Sequence, residues 1–228
     1  MNQKAMCHVI IAAAGSGSRM GLDCPKQFAD LAGKPIWIRT LERFFASEAV
    51  RDVTIVIPSN YELQCRDMLR AHNITRMPAL LEGGADRSSS VYKALSSLPG
   101  DTEIVLIHDA VRPFVTVAQI EAVAHAARLH DAAVLSVPVK DTVKEIDADG
   151  RIAHTPARAS LMLAQTPQGF RLPLLRHAYE RALADGFAGT DDASYVERLD
   201  IRPVIVPGDY RNIKLTTPED LLLAAAFL

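Results

Sequence analysis

Cysteine is scarce in this chain: Cys7, Cys24 and Cys65 are the only three among 228 residues, with no CxxC pairing and no histidine at a metal-ligand interval. That spacing excludes a disulfide framework, argues against structural zinc, and predicts reduced thiols in a cytoplasm. Long apolar runs are missing too. No stretch approaches the roughly 18 residues that mark a membrane-spanning helix, and the opening MNQKAMCHVII carries no leader-cleavage pattern. Charge of one sign is also lacking: the formal net charge is -2. Nothing global therefore draws the chain to nucleic acid or an acidic membrane, and any anion site must be assembled locally. Low-complexity linkers and internal repeats are absent as well.

What the chain does have is a 49% hydrophobic content spread along its whole length, enough for a sizeable core. It predicts a single domain over residues 1–228, with no second catalytic domain after the last helix. Short β-branched runs alternate with longer amphipathic ones, the pattern of a Rossmann-like α/β fold whose mostly parallel sheet is flanked by helices. Strands are expected at His8–Ala12, Val53–Pro58, Ala79–Glu82, Glu103–His108, Ala133–Pro138, Pro203–Pro207 and Asn212–Leu215. Helices are expected at Pro35–Ser47, Tyr61–His72, Ser89–Leu98, Val117–His130, Leu172–Asp185, Asp191–Arg198 and Pro218–Leu228. The last has Thr217 as N-cap, Pro218 at the first helical position and two acids in the first turn. One stretch breaks the alternation. Lys140–Thr155, KDTVKEIDADGRIAHT, is two short polar-alternating runs joined at Asp147–Gly150, too polar for a central strand pair. It reads as a β-hairpin projecting over about residues 140–156, either a solvated surface feature or a dimerisation arm.

The chemistry starts where the first strand ends, at AAAGSGSRMG (Ala12–Gly21). Small residues let a backbone approach a ligand, and glycine allows successive N–H groups to converge on an anion. Two familiar phosphate loops are excluded. A GxGxxG fingerprint fails because Met20 stands where the third glycine belongs. A GxxxxGK[ST] loop fails because Met20 and Leu22 occupy the second-glycine position. Two cations follow, Arg19 inside the loop and Lys26 behind the stiffening Pro25. Nucleotidyl transfer concentrates negative charge on the phosphate oxygens and the departing pyrophosphate, so fixed cations there are its main catalytic device. A guanidinium offers two-point contact and an ammonium a point charge.

With PKQF (Pro25–Phe28) behind it, this loop resembles the polyol-phosphate cytidylyltransferase family, on the side of its members that act on 2-C-methyl-D-erythritol 4-phosphate. The likeness runs through the whole chain. It continues in GGADRSSSV (Gly83–Val91), HDAVRP (His108–Pro113), KDTVK (Lys140–Lys144), QTPQ (Gln165–Gln168), TDDAS (Thr190–Ser194) and NIKLT (Asn212–Thr216). Members acting on ribitol 5-phosphate share the loop, PKQF, HDAVRPF and QTPQ. The AAAG start, Lys140–Lys144 and TDDAS fit the methylerythritol branch better. A nucleotide-binding module without catalysis has no need for Arg19, Lys26 and Lys214 together.

The resemblance implies transfer of the cytidylyl group of CTP to the acceptor phosphate by a homodimer, with Mg²⁺ as cofactor and no covalent intermediate. Ala13, Ala14, Gly15 and Gly17 would carry the nucleotide, and Arg19 and Lys26 would stabilise charge on its phosphates. Gly84, Ala85, Arg87 and Ser90 would surround the base and ribose. A common family form has an acid where Ala85 stands, so only backbone contacts survive there, and Arg87 has a structural-charge alternative. Asp109, at the carboxyl edge of its strand, is the implied metal ligand, the alternative being a turn or cap aspartate; one carboxylate with phosphate oxygens can suffice for Mg²⁺. Arg112, Thr142, Arg158, Thr166, Thr190 and Lys214 would form the acceptor pocket, with Arg158 and Thr190 arriving from the neighbouring subunit if the arm exchanges. Catalysis is thereby assigned to Arg19, Lys26, Arg158 and Lys214. His108 is assigned to packing, because an attacking phosphate is already an anion and needs no general base.

Overall fold

A computed structural model describes residues 7–15 and 24–228. In it β1 (Cys7–Ala12), all but its last residue buried, lies parallel to β2 (Val50–Ile57) on one side and β4 (Ile104–Asp109) on the other. A strand covered on both faces reads as a continuous apolar run rather than an alternating one. The sheet is completed by β3 (Ala79–Glu82), β5 (Ala132–Pro138), β8 (Met162–Arg171) and β9 (Val204–Pro207), in the order β3-β2-β1-β4-β8-β5-β9. Chain order leaves β1 toward β2 on one side and reaches β4 on the other. The β1/β4 boundary is thus the switch point at which open α/β sheets form a crevice at their strands' carboxyl ends.

Helices cover both faces. On one, α1 (Ile36–Phe45), α2 (Glu62–Ala71) and α4 (Val117–His130) pack Trp37, Leu41, Phe44, Leu69, Ile120 and Val123 against Val9, Ile11, Ile55 and Leu106. On the other, α3 (Arg87–Ser97), α5 (Leu172–Ala184) and α6 (Ala193–Glu197) pack Val91, Leu95, Leu175, Tyr179 and Val196 against Ile10, Val56, Val105 and Ile107. Alternate residues of β1 and β4 thus serve opposite layers, and each fully buried aliphatic side chain contributes about 1.5–3 kcal/mol. The final helix α7 (Pro218–Ala225) begins with the expected Thr217 cap and Pro218, and closes a smaller cluster around Leu31, Ile36, Val111 and Leu215.

Two expectations about strands are corrected. Met162–Arg171 was not anticipated as a strand, because MLAQTPQGFR is interrupted by Pro167 and Gly169. It nevertheless forms β8, antiparallel to both β4 and β5. The pairing with β5 shifts register between Val134 and Ser136, which is how the sheet accommodates a residue without an N–H. Conversely, Asn212–Leu215 is not a strand. Its polar groups are taken one at a time: the Asn212 side chain donates to the Thr166 carbonyl (2.9 Å), the Asn212 carbonyl accepts from Arg112 (2.8 Å), and the Leu215 N–H donates to the Val111 carbonyl (2.9 Å). The hairpin is present as β6 (Glu145–Ile146) and β7 (Ile152–His154), exposed along its length. No helix among the described residues is long and apolar enough to cross a membrane.

Gly169 sets how closely β8 approaches its neighbours. A Cβ there would sit 2.9 Å from Leu106 Cδ2, 2.9 Å from Val123 Cγ1 and 3.1 Å from Ala127 Cβ. Gly169→Val is expected to lower unfolding free energy by about 1–3 kcal/mol through overpacking. An unchanged urea midpoint would show that β8 can shift away from α4 freely.

Candidate active site

The carboxyl ends of β1 and β4 meet at Ala12 and Asp109, which are register partners. A cavity of about 390 Å³ opens beside them, lined by Ala13, Ala14, Gly15, Lys26, Gly84, Ala85, Arg87, Ser90, Asp109 and Lys214 among others. Ten residues assigned from sequence thus share one space. Gly17 and Arg19 lie outside the described residues.

One wall of the cavity is built from two backbone segments held close together. Gly83 sits where a Cβ would come within 2.6 Å of Ala14 Cβ and 2.8 Å of Ser90 Oγ, so the approach of the β3–α3 turn to the β1 loop requires glycine. The Gly84 N–H donates to Ser90 Oγ at 2.9 Å. Asp86 then caps α3, accepting from the Ser89 N–H at 2.7 Å. This delivers Arg87, the first helical residue, to the cavity wall. The PKQF turn sends its side chains in three directions. Lys26 lines the cavity, Gln27 is buried against the β1 loop, and Phe28 stacks on Tyr61 at 5.2 Å.

Electrostatically the site centres on Asp109. Its Oδ2 lies 3.0 Å from Lys214 Nζ and 3.3 Å from Arg112 Nε, and its Oδ1 lies 3.8 Å from Arg87 Nε. Burial alone would raise the Asp109 pKa, but Lys214, Arg87 and Arg112 together hold the carboxyl well below the usual carboxylate range. Asp109 is therefore held as the carboxylate near neutral pH. Thr166 Oγ1 accepts from the Asp109 N–H at 3.1 Å and fixes its backbone. Arg112 is turned away from the cavity, with its guanidinium also donating to the Asn212 carbonyl, so it braces the segment that carries Lys214.

As a candidate magnesium ligand Asp109 offers one hard oxygen donor. Among the described residues no group of three or more acids, histidines or cysteines is gathered that could hold a metal without help. Oδ1 lies 3.8 Å from Arg87 Nε, farther than Oδ2 lies from Lys214 or Arg112. The donor set fits a cation held chiefly by phosphate oxygens, with this carboxylate completing its shell.

Five acceptor candidates, Arg112, Thr142, Arg158, Thr166 and Thr190, lie apart from the cavity lining. Thr142 and Thr190 are exposed, and Arg158 is exposed with its guanidinium donating to the Lys140 carbonyl at 2.8 Å, at the base of the hairpin. Thr166 is buried, with its hydroxyl engaged on Asp109. His108 is fully buried and donates from Nε2 to the Arg112 carbonyl (3.1 Å), as the packing assignment anticipated.

Sequence reasoning assigned no role to Asp192 or Gln27. Asp192, 0% exposed, accepts from Arg87 at 2.6 Å and from Tyr179 at 2.7 Å. Its carboxylate keeps the Arg87 guanidinium firmly protonated and is the chief cause of that shift. Arg87 thus lines the cavity while pairing, from a side chain 34% exposed, with the fully buried Asp192. The only signal for Asp192 was its place in TDDAS; nothing local shows that a second carboxylate will be buried against an arginine 105 residues away.

The cavity lies in a chain with extensive relatives. The family model described as 2-C-methyl-D-erythritol 4-phosphate cytidylyltransferase (IspD) matches residues 7–228. A 2-C-methyl-D-erythritol 4-phosphate cytidylyltransferase of Geobacter metallireducens is 46% identical over 223 residues, covering 96% of each chain. One of Geobacillus thermodenitrificans is 46% identical over 220 residues, covering 96% of this chain and 95% of that protein. Among solved structures, the 4-diphosphocytidyl-2C-methyl-D-erythritol synthase of Anaerococcus prevotii superposes with a TM-score of 0.88 at 30% identity, covering 99% of this chain and 97% of that one. The Francisella tularensis 2-C-methyl-D-erythritol 4-phosphate cytidylyltransferase gives 0.82 at 32% identity, covering 98% and 100%.

Burial pushes His108 down from its ordinary 6.5 to about 3. The unfolded chain then binds the extra proton between those values, so stability contributed by neutral His108 is complete above about pH 6.5. It is lost as pH falls toward 3, by about 1.4 kcal/mol per pH unit. His108→Gln is expected to have a shallower decline of unfolding free energy over that window. Parallel slopes for the two proteins would refute the assignment.

Proposed function

The chain belongs to the 2-C-methyl-D-erythritol 4-phosphate cytidylyltransferase family, and on that premise we propose that it joins CTP and 2-C-methyl-D-erythritol 4-phosphate into 4-diphosphocytidyl-2-C-methyl-D-erythritol and pyrophosphate, a step of the non-mevalonate isoprenoid route. The observation that carries this reading is the cavity at the β1/β4 switch point, where the loop residues Ala13–Gly15, Lys26 and the Asp109–Lys214 pair line one space.

In the proposed reaction an oxygen of the acceptor phosphate attacks the α-phosphorus of CTP. A new P–O bond forms there as the bond to the β-phosphate breaks, and the electron pair leaves with pyrophosphate. Lys26, with Arg19, neutralises charge on the α-phosphate and the leaving group. Lys214 stands 3.0 Å from the Asp109 carboxylate, a position from which its ammonium can meet the acceptor phosphate. Arg112, shared with the Asn212 carbonyl, and Arg87, shared with the Asp192 carboxylate, keep the Asp109 side chain in place. Magnesium, when bound at Asp109 and the triphosphate, supplies further neutralisation of phosphate charge. Since both reactants arrive already ionised, the protein contributes positioning and fixed charge rather than proton transfer. Gly84, Ala85 and Ser90 form the wall for base and ribose. The side chain of Ala85 offers no polar group, so recognition there falls to the backbone.

The working unit in this reading is a cytoplasmic homodimer of single-domain subunits. Its support is the exposure of the hairpin: Ile146 and Ile152 are each 63% exposed, and Leu163 is 52% exposed near its base. Exchange of this arm would carry Arg158 and Thr142 toward a neighbouring cavity. Thr190, exposed on its own turn, would join them there. Ile146→Asp with Ile152→Asp is expected to yield a folded monomer by sedimentation, with acceptor KM raised about tenfold or more as those contacts are lost. A variant that stays dimeric with unchanged KM would sink the exchange.

The substrate assignment is tested by pyrophosphate release from CTP with each acceptor in turn. Turnover is expected with 2-C-methyl-D-erythritol 4-phosphate and to be far slower with ribitol 5-phosphate, the alternative that the relatives' names do not favour. Faster turnover with ribitol 5-phosphate would overturn the acceptor, and none with any polyol phosphate would overturn the enzyme.

A further inference from the structure

Gln27 is the one side chain of the PKQF turn that none of the roles above uses. It is 1% exposed, and its Nε2 donates to two carbonyls, Ala13 at 2.5 Å and Gly15 at 3.2 Å. These carbonyls lie just past the end of β1. The last ladder contacts there are the Ala13 N–H to the Val56 carbonyl (2.8 Å) and the Ala110 N–H to the Ala12 carbonyl (3.1 Å). The β1 ladders end at Ala12, and beyond that point no strand among the described residues supplies donors; a buried carbonyl without a partner is costly. A carboxamide NH₂ has two hydrogens, one for each carbonyl.

The clamp also fixes direction. In a trans peptide the C=O and the following N–H point to opposite sides, and the described X–X peptides here are trans. Holding the Ala13 carbonyl on Gln27 therefore fixes the Ala14 N–H of the same peptide in the opposite direction, within the stretch where Ala13, Ala14, Gly15 and Gln27 all line the cavity. Gln27 is meanwhile the immediate neighbour of Lys26 in a three-residue 3-10 turn, anchored by Phe28 in the core. One amide thus ties the Lys26 turn to the backbone that faces the same anion.

We propose that Gln27 is a positioning residue for nucleotidyl transfer: it fixes the β1 loop so that the Ala14 N–H and the Lys26 ammonium converge on one triphosphate. This rests on the functional reading above and adds the residue that enforces its geometry. Because Gln27 acts through a cation rather than on the substrate, its removal must matter less when that cation is gone.

The test is a double-mutant cycle on kcat for pyrophosphate release, with Gln27→Leu and Lys26→Ala singly and together, and folding checked by thermal melting. Lys26→Ala is expected to lower kcat by about 10²–10³ with a much smaller change in CTP KM. Gln27→Leu is expected to lower it about tenfold or more alone, but by less than about twofold in the Lys26→Ala background. The same factor in both backgrounds overturns the proposal. If Gln27→Leu does not fold, Gln27→Glu decides. Its buried carboxylate faces two carbonyls, so its pKa rises and only the protonated acid can donate. The ratio of its kcat to that of the wild type is then expected to climb at least about fivefold from pH 8 to pH 6, and a flat ratio overturns the proposal. Absence of turnover in the wild type would instead strike the functional reading. The clamp would then be read from binding of inorganic triphosphate, which Gln27→Glu must weaken at pH 8 relative to pH 6, and equal binding at both overturns it.

Discussion

A single carboxylate organises this site. Asp109 ends β4 beside the end of β1, and three cations reach it from separate parts of the chain: Arg87 from the start of α3, Arg112 from the turn after β4, and Lys214 from the segment before α7. Burying an anion is unfavourable unless its charge is met, and three partners more than meet it. Each cation in turn fixes the backbone that carries it. Arg112 also holds the Asn212 carbonyl, and Arg87 also holds Asp192. The segment before α7, the start of α3 and the N-cap of α6 are therefore placed with respect to one atom group.

That arrangement suits phosphate chemistry. Lys26, Arg87, Arg112 and Lys214 outnumber the two buried aspartates, Asp109 and Asp192, which leaves the cavity ready for anions, although the chain as a whole carries a net charge of -2. Fixed cations cost little reorganisation when charge moves between phosphates, which is the condition under which electrostatic stabilisation is largest. The neutral, sequestered His108 agrees with this. A group pushed down to about 3 by burial cannot serve as a proton acceptor near neutrality, and the reaction requires none.

The PKQF turn shows how short a motif can be while serving three layers of the structure. Phe28 commits to the apolar core, Gln27 to the backbone of the β1 loop and Lys26 to the cavity. The core contact makes the other two placements rigid, because a stacked aromatic anchor leaves a three-residue turn little freedom. Gly83 plays the matching part on the opposite wall, where the absence of a side chain admits Ala14 and Ser90. Rigidity of the site thus comes from packing that never touches a ligand.

The alternation of apolar runs, the strands β1 to β5 apart from small shifts at their ends, all seven helices, the hairpin and most of the cavity residues were legible in the sequence. They depend on local properties: period, capping, loop chemistry and the order of motif blocks. The antiparallel β8 was not legible, because Pro167 and Gly169 hide a strand whose continuity comes from its neighbours β4 and β5. The extended run Asn212–Leu215 looked like a strand but is tied by side-chain bonds instead of a ladder. Asp192 and Gln27 escaped notice for a related reason. A polar residue shows its purpose only when its partner is known, and theirs lie 105 and 14 residues away. By itself the sequence determined most of the elements and most of the residues that line the cavity. Only the tertiary structure decided which charges meet, since the partners of a buried polar group are set by the packing of distant segments and not by their spacing along the chain.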